Sequence, residues 1–176
     1  MNHTVDHQLE HRTIRAFKGV EVKEEILNKI KDVAKRTATS TGLQSASVIR
    51  VVDQEKRDAI AEVCKQAYVA EAPELWIFLV DLHRNHQIAV EQDLDTDSAR
   101  DMDRFFQGFS DAILMAQNTL NAVESFDLGG VFLGSLHNDD RKIIEILDLP
   151  ELTFPALGLA FGEKNQSPQL KPRMDM

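Results

Sequence analysis

The sequence predicts a layered α/β domain, and three observations carry that reading. Apolar residues recur at helical spacing in several stretches, and other short runs are β-branched or apolar throughout. The two kinds alternate in the order helix, strand, helix, strand, long helix, strand, helix, strand. At 176 residues, 43% hydrophobic and 28% charged, the chain suffices for one well-packed domain spanning 1–176 and is short for two.

Each element has its own signal. Residues 1–10 read as a short polar helix. Over 22–37 the apolar residues Val22, Ile26, Leu27, Ile30, Val33 and Ala34 keep helical spacing, with lysines and glutamates opposite. Hydroxyls and Gly42 make 38–45 a loop. The β-branched run 47–52 reads as a strand, and Asp53 after it is placed to cap a helix through about Ala67. After Pro73, residues 75–80 are apolar without interruption, as in a central strand covered on both faces. Residues 83–97 are polar and acidic and read as a surface excursion. A long helix follows over 98–126. Its residues Met102, Phe105, Phe106, Phe109, Ala112, Ile113, Ala116, Leu120 and Val123 form a wide apolar stripe suited to the core or to a subunit interface. Residues 128–134 turn into a strand, 139–147 make a short helix, and 154–161 a last strand.

Composition narrows the function classes. Against 20 Lys and Arg stand 29 Asp and Glu, a net charge of -9, which argues against nucleic acid or an anionic membrane as partner. No apolar run approaches the ~20 residues that span a bilayer. The N-terminus is too polar for a secretory signal, and the single cysteine, Cys64, has no internal disulfide partner, so a cytoplasmic protein is expected. His83 and His86 lie at i, i+3 with no cysteine beside them, and Asp93, Asp95 and Asp97 lack the glycine and glutamate of a calcium loop; no metal is expected. Cys64 reads as a buried helix cysteine rather than a nucleophile. Neither the G-x-G-x-x-G nor the G-x-x-x-x-G-K-[ST] fingerprint is present.

Two basic clusters stand out in this acidic chain. His11-Arg12-Thr13-Ile14-Arg15 lies near the start and Lys171-Pro172-Arg173 near the end. Arg and Lys grip phosphate through charge-assisted hydrogen bonds, and a hydroxyl such as Thr13 adds a donor. Brought together, the clusters form an anion site. With no catalytic triad or metal box in view, that points to a phosphorylated cofactor carrying the chemistry.

The first cluster, the loop Thr39-Ser40-Thr41 with Gln44-Ser45, Gln66-Ala67-Tyr68, the run from Leu128 through Gly129-Gly130 to Gly134, and Leu170-Lys171-Pro172-Arg173 follow one another in order. Together they resemble the nitroreductase family, in particular its NADPH-dependent flavin reductase and oxygen-insensitive nitroreductase branch. The resemblance implies an α+β fold with a mixed sheet flanked by helices, an intertwined homodimer, and FMN at each subunit interface. It places His11, Arg15, Lys171 and Arg173 around the FMN phosphate, with Arg12 and Thr13 on nearby polar atoms. Thr39, Ser40 and Thr41 would reach phosphate and ribityl from the partner subunit, with Gln44 near the flavin. Gln66 and Tyr68 would approach ring and ribityl, and Gly129 and Gly130 would let backbone amides come close to the ring.

The implied activity is ping-pong hydride transfer from NAD(P)H to small planar acceptors such as nitroaromatics, quinones or free flavins, with no catalytic side chain. Members of this branch continue past the Lys-Pro-Arg segment with an extension that wraps the partner and binds the NADPH 2′-phosphate. This sequence stops at Met176. Beside the enzyme, that departure leaves a non-catalytic flavin-binding module or a truncated paralogue lacking the nicotinamide-binding extension.

Overall fold

The computed structural model describes residues 2–175. Its centre is β2 (Glu74–Asp81), in which all residues but the last are buried. Period-two alternation sends Leu75, Ile77 and Leu79 to one face and Trp76, Phe78 and Val80 to the other, where each set joins a separate apolar core. β1 (Ala46–Arg50) flanks β2 on one side and β4 (Thr153–Glu163) on the other, with β3 (Leu128–Leu133) outside β4, giving the order β1-β2-β4-β3.

Helices cover both faces of this sheet. α2 (Glu24–Lys35) and the 24-residue α6 (Met102–Ser125) pack over the Trp76 face. α3 (Gln54–Cys64), the short α4 (Tyr68–Glu71) and α7 (Asp140–Leu147) cover the Ile77 face. α1 (His3–Leu9) and α5 (His83–Glu91) lie at the surface and contribute no buried residue among those described. On the Trp76 face that ring meets Phe161 edge-on, centroids 5.3 Å apart. Its indole N–H donates to the buried Glu74 carboxylate, which Arg50 clasps through Nε and Nη2 at 2.8 and 2.6 Å.

The α+β class and the helix-flanked sheet are as expected, but the sense of the strands needs a correction. Every pairing among the described residues is antiparallel, where a mixed sheet was expected. α6 carries the chain back across the sheet, so β3 does run in the direction of β2. β4 then inserts between them, and the two strands of common direction are never hydrogen-bonded neighbours.

Other expectations shift by a few residues for local reasons. Asp53 caps α3 by accepting from Lys56 N at 3.1 Å, but α3 stops at Cys64 because Lys65 turns left-handed at φ 54°. The long helix begins at Met102, after a 3-10 turn over Asp97–Arg100. The supposed excursion at 83–97 contains α5. It is tethered through polar contacts, His83 Nδ1 to Glu151 O at 3.1 Å among them, so it shows no apolar periodicity in sequence. Pro155 is tolerated inside β4 because the register slips between Phe78 and Leu79, leaving Ala156 as the extra residue of a bulge.

Phe78, fully buried against α6, is expected to cost about 3–5 kcal/mol of stability when replaced by alanine, measured by urea unfolding. A loss below about 1 kcal/mol would contradict a close-packed centre at β2.

Candidate functional site

The segment 11–18 is stitched to the chain around the end of β4. Ile14 N–H donates to Gly130 O (3.0 Å), Lys18 N–H to Glu163 O (2.9 Å) and Asn165 N–H to Ala16 O (2.9 Å), while Phe17 bridges Lys164. Gln166 Nε2 adds a longer bond to Thr13 O at 3.4 Å. Ile14, only 2% exposed, plugs the segment into the fold. A Cβ on Gly129 would lie 2.5 Å from Ile14 Cγ1 and 2.7 Å from Lys164 Cγ; one on Gly130 would lie 2.7 Å from Leu120 Cδ1. The glycines were expected to clear space for a cofactor ring. The space their missing side chains leave is filled by the protein's own Ile14 and Leu120.

This stitching sets His11 against α6, where its Nδ1–H donates to Glu124 Oε1 at 2.6 Å. The hydrogen bond to Glu124 raises the imidazole pKa above its usual 6.5; burial opposes the shift, and so does the positive charge of Arg173 nearby. That repulsion places the C-terminal cluster within electrostatic reach of the N-terminal one. Arg173 and Lys171 are both exposed, and Arg173 Nη1 donates to Lys171 O at 3.4 Å. Arg12 Nη1 donates to Glu10 O at 3.1 Å, and Thr13 is half-buried. A cavity of about 450 Å³ opens here, lined by His11, Arg12, Glu124, Gly129, Lys164 and Gln166 among others.

Arg15 faces elsewhere. In an extended segment neighbours point to opposite sides, so the burial of Ile14 turns Arg15 outward, beside Tyr68. Burial pushes the Tyr68 phenol up and the Arg15 guanidinium pulls it back down. Tyr68 Oη–H donates to Gln66 Oε1 (2.7 Å), which also accepts from Ser135 Oγ (3.2 Å). Cys64 beneath is buried, and burial pushes its thiol up, which suits a core residue rather than a nucleophile.

The hydroxyl loop packs near the middle of α6. Thr39 and Ser40 are half-buried, Thr41 and Gln44 exposed. Its backbone is held by Asp111, which is 1% exposed and accepts from Ser40 N–H at 2.7 Å and Ser45 N–H at 3.2 Å. Asp111 and Glu124 are thirteen residues apart on one helix, about 20 Å at 1.5 Å per residue. A single chain therefore holds His11, with Arg12 and Thr13 beside it, against the C-terminal end of α6, and seats the loop carrying Thr39, Ser40, Thr41 and Gln44 about 20 Å away, near the middle of the helix.

Asp111, Glu124, Ser135 and Gln166 escaped the sequence reading. For the first, the available signal was a carboxylate inside an apolar helical stripe, adjoining Ala112. The other three are single polar residues of common type with no motif around them, and carry no such mark. Among the described residues no group of three or more His, Cys, Asp or Glu side chains converges as a metal site. No helix among them is long and apolar enough to cross a membrane.

The profile of the nitroreductase family matches residues 9–163, and the chain belongs to that family, a family of oxidoreductases. Its relatives include an NADPH-flavin oxidoreductase of Vibrio harveyi, 36% identical over 175 residues, 99% of this chain and 71% of that protein. An NADPH-dependent oxidoreductase of Staphylococcus aureus (strain bovine RF122 / ET3-1) is 35% identical over 167 residues, 93% of this chain and 66% of that protein. The solved NADPH:FMN oxidoreductase of Vibrio harveyi, complexed with NAD+, matches with a TM-score of 0.92 at 36% identity, covering 99% of this chain and 74% of that one. The NfrA1 nitroreductase of Bacillus subtilis matches with a TM-score of 0.95 at 31% identity, over 98% and 70% of the two chains.

Two outcomes are expected from this geometry. Because the folded His11 pKa is raised, the His11–Glu124 pair adds stability that is fully present below pH 6.5 and is lost as pH rises through the folded value. Glu124→Gln should lower the His11 pKa in an NMR titration and flatten that pH dependence. Gly129→Ala, which forces Ile14 to move, should cost about 1–3 kcal/mol in thermal unfolding. Gly19→Ala, with nothing within 4 Å, serves as the control.

Proposed function

We propose that the protein is an FMN-dependent NAD(P)H oxidoreductase that works as a homodimer on nitroaromatics, quinones or free flavins. The observation that supports this reading is the cationic segment 11–13 held against α6: Glu124 takes His11 Nδ1–H at 2.6 Å, and the charge of Arg173 is felt there. A phosphate monoester needs several convergent cationic donors, and His11, Arg12, Lys171 and Arg173 would supply them in a chain whose net charge is -9. The donor set fits FMN. His11, Arg12, Lys171 and Arg173 hold the phosphate end, with Thr13 as a neutral donor. Arg15, Gln66 and Tyr68 form a polar group for the ribityl or ring.

When bound, FMN supplies the transfer of two electrons between NAD(P)H and an acceptor. The chain's own contribution is grip and orientation. Glu124 keeps His11 in its charged form over a wider pH range, so the phosphate grip persists above pH 6.5. Tyr68 and Ser135 lock the Gln66 amide in one orientation by donating to its oxygen, which leaves the amide N–H groups directed outward as donors.

The length of α6 supports the homodimer. With about 20 Å of α6 between the cation cluster and the hydroxyl loop, Thr39, Ser40, Thr41 and Gln44 serve a flavin held mainly by a second copy. Met102, Phe106 and Leu114 are exposed on α6 at four- and eight-residue spacing, an apolar outer face that suits such pairing. A lone, buried cysteine fits the reducing cytoplasm, and one FMN-binding domain over 1–176 is the unit that pairs.

Protein saturated with FMN should be yellow, and anaerobic NADPH or NADH should bleach it in stopped flow. A colourless protein whose melting temperature ignores excess FMN would end this reading; a yellow protein that neither nicotinamide bleaches would leave a binding module only. Arg15→Ala and Arg173→Ala should each weaken FMN binding by about 1.5–3 kcal/mol in fluorescence titrations.

A further inference from the structure

The loop between α2 and β1 is held on every side through its backbone. From α6, Asp111 takes the Ser40 and Ser45 amides, one on each carboxylate oxygen. One turn earlier Gly108 lets the helix come close: a Cβ there would lie 2.8 Å from both Ser45 O and Val80 Cγ1. Further along, Asn118 Nδ2 donates to Thr37 Oγ1 (3.0 Å) and Val33 O (3.1 Å), fixing where the segment leaves α2. From α5, Asn85 Nδ2 donates to Leu43 O at 3.0 Å and Arg84 donates to Gln44 O.

The clamping has a cost and a consequence. Thr41, Gly42 and Gln44 all take left-handed backbone angles, φ 51°, 72° and 51°, which Thr and Gln adopt only under outside restraint. Asp111 carries its carboxylate into the core, an expense that the two amide bonds offset. Among the described residues the side chains of Thr39, Ser40, Thr41 and Gln44 make no hydrogen bond. The loop thus spends its main chain on the fold and keeps its side-chain donors and acceptors free.

We propose that Asp111 is a positioning residue for cofactor binding. Its carboxylate, with Gly108 beneath it, holds the loop in the backbone shape that presents Thr39, Ser40, Thr41 and Gln44 to the FMN gripped by a second subunit. This rests on the FMN reading above and adds to it the buried group through which α6 acts on the site. Asp111 touches no reacting atom. It works by taking both amides at once, so that the loop enters binding already ordered and little conformational entropy is lost when FMN arrives.

The test is a cycle of FMN titrations, read by quenching of flavin fluorescence, with the melting temperature of the FMN-free protein measured alongside. Asp111→Asn keeps the volume but turns an NH2 group toward one of the two amides. Gly108→Ala disturbs the same seat without altering charge, and stands in should the first variant fail to fold. Each is combined with the loop variant Thr39→Val/Ser40→Ala/Thr41→Val. Asp111→Asn or Gly108→Ala alone should weaken FMN about tenfold, as the loop variant should. Each combination should bind within about twofold of the loop variant by itself, because the seat acts only through those side chains. If the losses instead multiply, Asp111 merely stabilises the fold and the proposal fails. A weakened loop variant beside Asp111→Asn and Gly108→Ala of wild-type affinity would overturn the proposal alone. A loop variant of wild-type affinity would remove the loop from the cofactor site and overturn the partner-loop reading with it.

Discussion

An α-helix has a fixed rise, and α6 turns that into a ruler for the whole molecule. Glu124 near its C-terminal end holds His11, and Asp111 near its middle holds the hydroxyl loop. Packing over β2, β3 and β4 seats the helix along the sheet, and about 20 Å of it separates the two polar groups within one chain. The cationic segment and the hydroxyl loop are therefore held apart by the geometry of a single element, which is why the proposed cofactor site calls on a second copy, whose two-fold axis reverses the ruler.

Both sets are fixed by the same device, a buried carboxylate reaching out of an apolar helix face. Asp111 is fully buried and takes two main-chain amides; Glu124 is nearly buried and takes an imidazole. In each case the cost of desolvating the acid is offset only if the partner segment stays in place. In the loop this fixes the main chain without occupying its side chains, whereas in the N-terminal segment Glu124 takes one ring nitrogen of His11 and leaves the other. The N-terminal segment gains further order from Ile14 and the backbone bonds of residues 14–18, which also cover part of the outer edge of β3.

Much of this was legible along the chain. The uninterrupted apolar run before Asp81 marked the central strand, and the stripe from Ala112 through Val123 marked the buried face of α6. Asp53 announced its helix by capping it, while Asp139, read as the start of a helix, proves to be the cap of α7. α5 was missed because it buries nothing fully and is held by polar tethers, which leave no periodic trace. Met102 and Phe106, drawn into the predicted stripe, are exposed, since spacing gives a face but not where a neighbouring element ends. The direction of β3 was equally invisible, because strand partners depend on which segment inserts between them.

The sequence by itself determined which residues carry the cationic and hydroxyl donors that a phosphorylated cofactor would need, because such donors are properties of side-chain chemistry, and in what order they come. It also determined the elements with strong local signals, where burial on one face imposes a period. Only the tertiary structure decided that His11 and Arg173 share a neighbourhood, that Arg15 turns to Tyr68 instead, and that Asp111 and Glu124 anchor the two halves. Those facts belong to interactions between distant segments, His11 and Glu124 lying 113 positions apart. Local propensity carries no information about such distances; the packing of α6 on the sheet does.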